Sequence, residues 1–130
     1  NAPTRTCLTI LPENGPTTEL VEEARPVGLH DVRLLHDAAK NALLEGTALC
    51  CSGSLPPEVP ETFYADLIRE AHRFGLPAVV DAQKAPLRAT LTAKPFLVKP
   101  NREEAAATLG LTLTGEASTD ARIAALALIE

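Results

Sequence analysis

Three short apolar runs, each bracketed by polar turn residues and separated by segments of helical period, constrain this chain more than any other feature. They are Ala48-Leu49-Cys50-Cys51, Ala78-Val79-Val80 and Phe96-Leu97-Val98. Each is continuous rather than alternating, the pattern of strands covered on both faces of a parallel sheet. The first two begin about 30 residues apart, the length of a strand, a crossover helix and the next strand. Between them Phe63, Leu67, Ile68 and Ala71 recur at helical spacing. A short helical stretch is predicted over 86–92, a further helix from near Asn101, and another over 121–129. Upstream, Val32, Leu35, Ala38, Ala39, Ala42 and Leu43 share one helical face, and Gly46 stands where a helix stop belongs. The chain therefore reads as α/β.

The first segment obeys a different rule. Arg5-Thr6-Cys7-Leu8-Thr9-Ile10-Leu11 is rich in β-branched and apolar residues, and residues 17–23 alternate polar and apolar. Pro12-Glu13-Asn14-Gly15-Pro16 lies between them, and Asn-Gly is a strong hairpin signal. The acidic second strand fits a sheet with one wet face, or an edge that meets a partner. Residues 1–24 are thus assigned to an antiparallel hairpin and 25–130 to an α/β portion, with no internal repeat and no low-complexity linker.

Composition excludes several classes. With 45% hydrophobic and 22% charged residues, neither disorder nor a fibrous repeat is indicated. A net charge of −5 argues against gripping nucleic acid through bulk charge. No apolar stretch approaches the ~20 residues of a membrane span, and no signal segment opens the chain. Three cysteines make no disulfide framework. The adjacent Cys50 and Cys51 read as buried thiols of a reducing, cytoplasmic compartment. At 130 residues the length matches one ordinary domain. Yet the chain opens Asn1-Ala2-Pro3, contains no methionine and stops at Glu130 within a helical pattern, so both ends read as cut.

In open parallel sheets ligands bind beyond the carboxyl ends of the strands. Polar residues stand there three times. The first run leads into Ser52-Gly53-Ser54-Leu55-Pro56-Pro57, the second into Asp81, the third into Lys99-Pro100-Asn101-Arg102-Glu103-Glu104. Small residues at the first site either make a tight turn into a helix or let backbone N–H groups approach an anion. Asp81 is a routine turn residue, or a partner for a sugar hydroxyl or a metal-bound water. Asn101 and Glu104 have the spacing of a capping box. With Lys99 they would also supply a cation for a phosphate and a carboxylate for hydrated Mg²⁺. His30, His36 and His72 lack metal-ligand spacing and read as surface or packing residues. Walker, dinucleotide-glycine, nucleophile-elbow and zinc cysteine-pair motifs are missing from the sequence.

Taken together, Thr4-Arg5, Thr18-Glu19-Leu20, Ser52-Gly53-Ser54-Leu55-Pro56-Pro57, Asp81 and Lys99-Pro100-Asn101-x-x-Glu104 resemble, in order and spacing, the phosphofructokinase-B branch of the ribokinase-like carbohydrate kinases. The resemblance covers essentially the whole chain. It implies a three-layer αβα fold with a mainly parallel sheet and a small antiparallel β lid, here in part. It implies transfer of a phosphoryl group from ATP, with Mg²⁺, to a hydroxyl of a phosphorylated hexose such as fructose or tagatose phosphate. It places Arg5, Ser52, Gly53 and Ser54 on the substrate phosphate and Lys99 beside the transferred phosphoryl group. It puts Asp81 in the same polar network, Asn101 and Glu104 around hydrated Mg²⁺, and the hairpin over the sugar as a lid that pairs with a second subunit.

The departures also carry information. Glu58 stands where a glycine commonly follows Pro-Pro, and Cys7 where asparagine is frequent. None of the seven glycines falls in the family's Gly-Ala-Gly-Asp run, whose aspartate is the general base. The chain is therefore expected to be a central portion, inactive by itself, with the base beyond Glu130. Two other readings compete: a non-catalytic homologue that holds a sugar phosphate or nucleotide, and a flavodoxin-like interaction domain whose polar strand ends are only caps.

Overall fold

The structure is a computed structural model that describes residues 4–129; Asn1-Ala2-Pro3 and Glu130, on which the reading of both ends rests, lie outside the described residues. The hairpin forms as predicted. Strand β1 (Cys7–Ile10) pairs antiparallel with β2 (Thr18–Val21), with Leu8 opposite Leu20. The ladder is extended one step by Glu22 N–H donating to the Thr6 carbonyl at 3.0 Å. Every residue of both strands is exposed. A two-stranded ribbon of this size is marginally stable by itself.

The rest alternates helix and strand: α1 (Leu29–Leu43), β3 (Leu49–Ser52), α2 (Phe63–Arg73), β4 (Ala78–Asp81), α3 (Lys84–Leu91), β5 (Leu97–Val98), α4 (Arg102–Leu109) and α5 (Ala117–Ile129). β3, β4 and β5 make a parallel sheet in that order, with Cys51 opposite Val80 and Val80 opposite Val98. Side chains alternate faces along a strand. Cys51, Ala78 and Val80 accordingly meet Ala65 and Ile68 of α2 and Leu87 of α3 in one core cluster. A second cluster joins Val32 of α1 to Phe63 and Leu67 of α2.

Two expectations are corrected. The apolar runs are covered on one face only among the described residues: Cys51 is buried, whereas Cys50 and Leu97, on the opposite face, are exposed. The pair Cys50-Cys51 is therefore one buried thiol and one exposed thiol, as strand alternation demands. Helix α1 is also rotated from the face read from its sequence. Val32 and Leu43 are buried with His36 and Ala39 half-buried, while Leu35, Ala38 and Ala42 are exposed. The tertiary contact sets this angle: the His36 ring meets Phe63 edge-on at 6.2 Å, and Lys40 reaches Glu70 at 3.6 Å.

Candidate functional site at the carboxyl edge of the sheet

β3 ends in Ser52, and the chain turns at Gly53 with φ +93°, a conformation that glycine adopts without a Cβ clash. The Gly53 N–H donates to the Asp81 carbonyl at 2.9 Å, carrying the β3–β4 ladder one step past the strands. The Tyr64 hydroxyl, from the first turn of α2, donates to the carbonyl of Ser52 at 3.1 Å and reaches that of Gly53 at 3.4 Å. Burial, and then the neighbouring Cys51, push the Tyr64 hydroxyl above its ordinary pKa, which keeps it a donor. Glu58, after the two prolines, has φ +67°. That left-handed backbone is the physical reason a glycine suits the position.

Asp81 ends β4, half-buried. Its Oδ2 lies 3.1 Å from Nζ of Lys99, which follows β5. The Lys99 N–H donates to the Val80 carbonyl at 2.8 Å, again one step past the strand. Two residues on, Asn101 caps α4. Its side-chain oxygen accepts from the Glu104 N–H at 2.8 Å, and Glu104 Oε2 accepts from the Asn101 N–H at 2.9 Å. The capping box is real. It leaves the Asn101 amide nitrogen and the second Glu104 carboxylate oxygen without a partner among the described residues, so the cap can support a site as well as a helix.

Ser52, Gly53, Asp81, Lys99, Asn101 and Glu104 thus share the carboxyl edge of one sheet, and Ser54 continues the turn from it. Arg5 stands apart from them. It lies in the exposed segment leading into β1 and makes no hydrogen bond or ion pair with residues 52–54 among the described residues. No group of three or more His, Cys, Asp or Glu able to hold a metal ion occurs among the described residues. No described helix is long and apolar enough to cross a membrane.

Several supporting residues had no sequence signal. Tyr64 acts on a carbonyl twelve residues upstream. Thr108, 1% exposed, joins α4 to the first residue of α3. Asp120 is buried and accepts from the N–H groups of Thr114 and Gly115, with Arg102 3.8 Å away. Those hydrogen bonds, that of the Thr114 N–H first, hold its carboxyl below the ordinary range.

The carboxyl edge of a parallel α/β sheet, where cationic, amide and carboxylate groups gather here, is where such folds bind small ligands. Comparison with known proteins narrows the class. The family model for pfkB carbohydrate kinases matches residues 1–130. Phosphofructokinase-2 from Escherichia coli, in its tetrameric inhibited form, superposes with a TM-score of 0.74 at 30% identity over 88% of this chain and 37% of that one. The same enzyme in complex with fructose-6-phosphate gives 0.73 at 30% identity over 95% of this chain and 40% of that one. A protein from Thermotoga maritima described as a possible 1-phosphofructokinase shares the fold, with a TM-score of 0.76 at 24% identity over 95% of this chain and 40% of that one. The chain belongs to the pfkB family of carbohydrate kinases. It spans about two fifths of the length of these solved structures.

Proposed function

We propose that this chain is the central portion of a kinase that transfers the γ-phosphoryl group of ATP to a hydroxyl of a phosphorylated hexose, a fructose or tagatose phosphate. The observation that carries the reading is the gathering of residues 52–54, Asp81, Lys99, Asn101 and Glu104 on one edge of the parallel sheet. The family and the fructose-6-phosphate complex of the Escherichia coli neighbour support it.

In this reading the turn at residues 52–54 offers backbone N–H groups and hydroxyls to the substrate phosphate. The guanidinium of Arg5 completes that grip when the lid closes. The Lys99 ammonium lies beside the transferring phosphoryl group, where a fixed positive charge stabilises the transition state. Asp81 holds that ammonium in place through its 3.1 Å contact. Magnesium suits the donor set, since it keeps several waters and takes one or two carboxylates. Asn101 and Glu104 would hold it through water, and it would neutralise charge on the nucleotide phosphates. The Gly-Ala-Gly-Asp run, whose aspartate would be the general base in this reading, does not occur in these 130 residues. The exposed Leu8, Ile10 and Leu20 of the hairpin suit a lid contact with a second copy.

The test is ADP release by the whole protein with Mg²⁺ and ATP, offered fructose 6-phosphate, fructose 1-phosphate, tagatose 6-phosphate and free fructose in turn. Turnover with a phosphorylated hexose and little with free fructose is expected. Binding without turnover would point to a non-catalytic homologue. Arg5→Glu should raise KM for the phosphosugar far more than for ATP, and equal effects on both would remove Arg5 from the phosphate site.

A further inference from the structure

The buried hydroxyl of Thr108 lies where two parts of the candidate site are joined. Its Oγ1 donates to the Glu104 carbonyl at 2.6 Å, the ordinary back-bond of a threonine inside a helix. What is not ordinary is the second bond: the same oxygen accepts from the backbone N–H of Lys84 at 2.8 Å. Lys84 is the first residue of α3, three residues beyond Asp81, and has φ +58°. A lysine holds such a backbone only where its surroundings oblige it to. Gln83, at the N-cap of α3, gives no side-chain cap. Thr108 therefore caps α3 from another helix, answering one of the N–H groups that a helix start leaves without a partner. Arg88 adds a tie from the next turn of α3 by donating to the Thr108 carbonyl. At the far end of the same short α4 stand Asn101 and Glu104.

We infer that Thr108 is a positioning residue that sets the placement of Asp81 relative to Asn101 and Glu104, and through it the affinity of the site for a Mg²⁺-nucleotide. The inference rests on the reading that these residues serve one site. Valine has the shape of threonine but cannot accept the Lys84 N–H, whereas serine can.

The experiment compares the whole protein with its Thr108→Val and Thr108→Ser variants, using Mg²⁺-ADP as calorimetric probe and amide exchange at Lys84 as a local readout. In Thr108→Val the Lys84 amide should exchange faster and Mg²⁺-ADP should bind about tenfold more weakly, the usual cost of losing an outer support. KM for the phosphosugar should hold, and Thr108→Ser should restore both readouts. Should Thr108→Val fail to fold, the Lys84→Gly/Thr108→Val double variant removes the backbone strain and is compared with Lys84→Gly alone. A folded valine variant that binds Mg²⁺-ADP as the parent does overturns the role of Thr108 and leaves the kinase reading standing. A parent protein that binds Mg²⁺-ADP but phosphorylates no sugar refutes the kinase reading, and the calorimetric comparison still decides the role of Thr108.

Discussion

Replacing Glu58 by glycine should make the protein more stable, although it removes a side chain from a surface loop. The residue has φ +67°, in the left-handed region, and is exposed. Its carboxylate makes no hydrogen bond or ion pair among the described residues, so the substitution forfeits no contact there. An L-residue pays ~1–2 kcal/mol for left-handed backbone. Glycine avoids that cost but returns ~0.4–1 kcal/mol through its greater freedom in the unfolded chain. The difference is a net gain of about 0.5–1 kcal/mol. Urea unfolding of the whole protein, followed by circular dichroism, should show a higher midpoint with an unchanged slope. Glu58→Ala is the control, because it deletes the same carboxylate and keeps the strain; it should gain nothing. A glycine variant no more stable than the alanine variant would refute the strain argument.

Lys99→Met should cut kcat in the whole protein severely while moving unfolding stability by less than about 1 kcal/mol, the usual ceiling for an exposed ion pair; a parallel loss of both would make Lys99 a structural residue. Burial pushes the Cys51 thiol up to about 11, so at pH 8 iodoacetamide should modify exposed Cys7 well before Cys51, as read by peptide mass spectrometry; equal rates would contradict the burial. Hydrogen bonds from Thr119 and Ser118 hold Glu116 down to about 2, and Asp120 is also lowered. Both folded-state values lie below the unfolded ones, so this stabilisation is complete above the ordinary carboxylate range and is lost as pH falls from 4.5 towards 2. Hydrogen exchange over residues 114–120, corrected for intrinsic rates, should therefore accelerate on acidification, and constant protection down to pH 2 would exclude the mechanism.

What could be read from the sequence was local. The strands at Cys51, Val80 and Val98 follow from short apolar runs, and the start of α4 from the Asn101 and Glu104 spacing, because the physics acts within a few residues. Ser52, Asp81 and Lys99 were legible as site candidates for the same reason: each stands where an apolar run stops. What escaped depends on partners distant in the chain. Whether Cys50 or Cys51 is buried depends on which face α2 covers, and both residues look alike in an apolar run. The inner face of α1 is set by Phe63 and Glu70, more than twenty residues away. Thr108 and Lys84, 24 residues apart, look like a helix threonine and a surface lysine until the fold brings them to 2.8 Å. The unusual glutamate after Pro56-Pro57 was visible in the sequence, but its cause, a positive φ, is a property of the backbone.

The same geometry explains how this edge can carry chemistry without jeopardising the fold. Its positions are held by main-chain bonds: Gly53 N–H to the Asp81 carbonyl at 2.9 Å and Lys99 N–H to the Val80 carbonyl at 2.8 Å. These bonds are indifferent to side-chain identity. Of the side chains they present, Lys99 is 69% and the half-buried Asp81 36% exposed, so water reaches their ion pair and holds it to about 1 kcal/mol before salt screens it. The buried volume that opposes unfolding lies one layer below, in Ile68, Val80 and Leu87, each 0% exposed. Truncating Ile68 or Leu87 to alanine would cost about 2–5 kcal/mol, several times what the whole Lys99–Asp81 contact can contribute. Ser52, Asp81 and Lys99, placed on ladder extensions above a core that does not use their side chains, are free to change residue by residue, whereas Asn101 and Glu104 also cap α4 with theirs. The other exceptions near this edge are positions where the backbone itself is under constraint: Gly53, Glu58 and Lys84, with φ of +93°, +67° and +58°. At those positions fold and site are one problem, and substitutions there should move stability and ligand binding together.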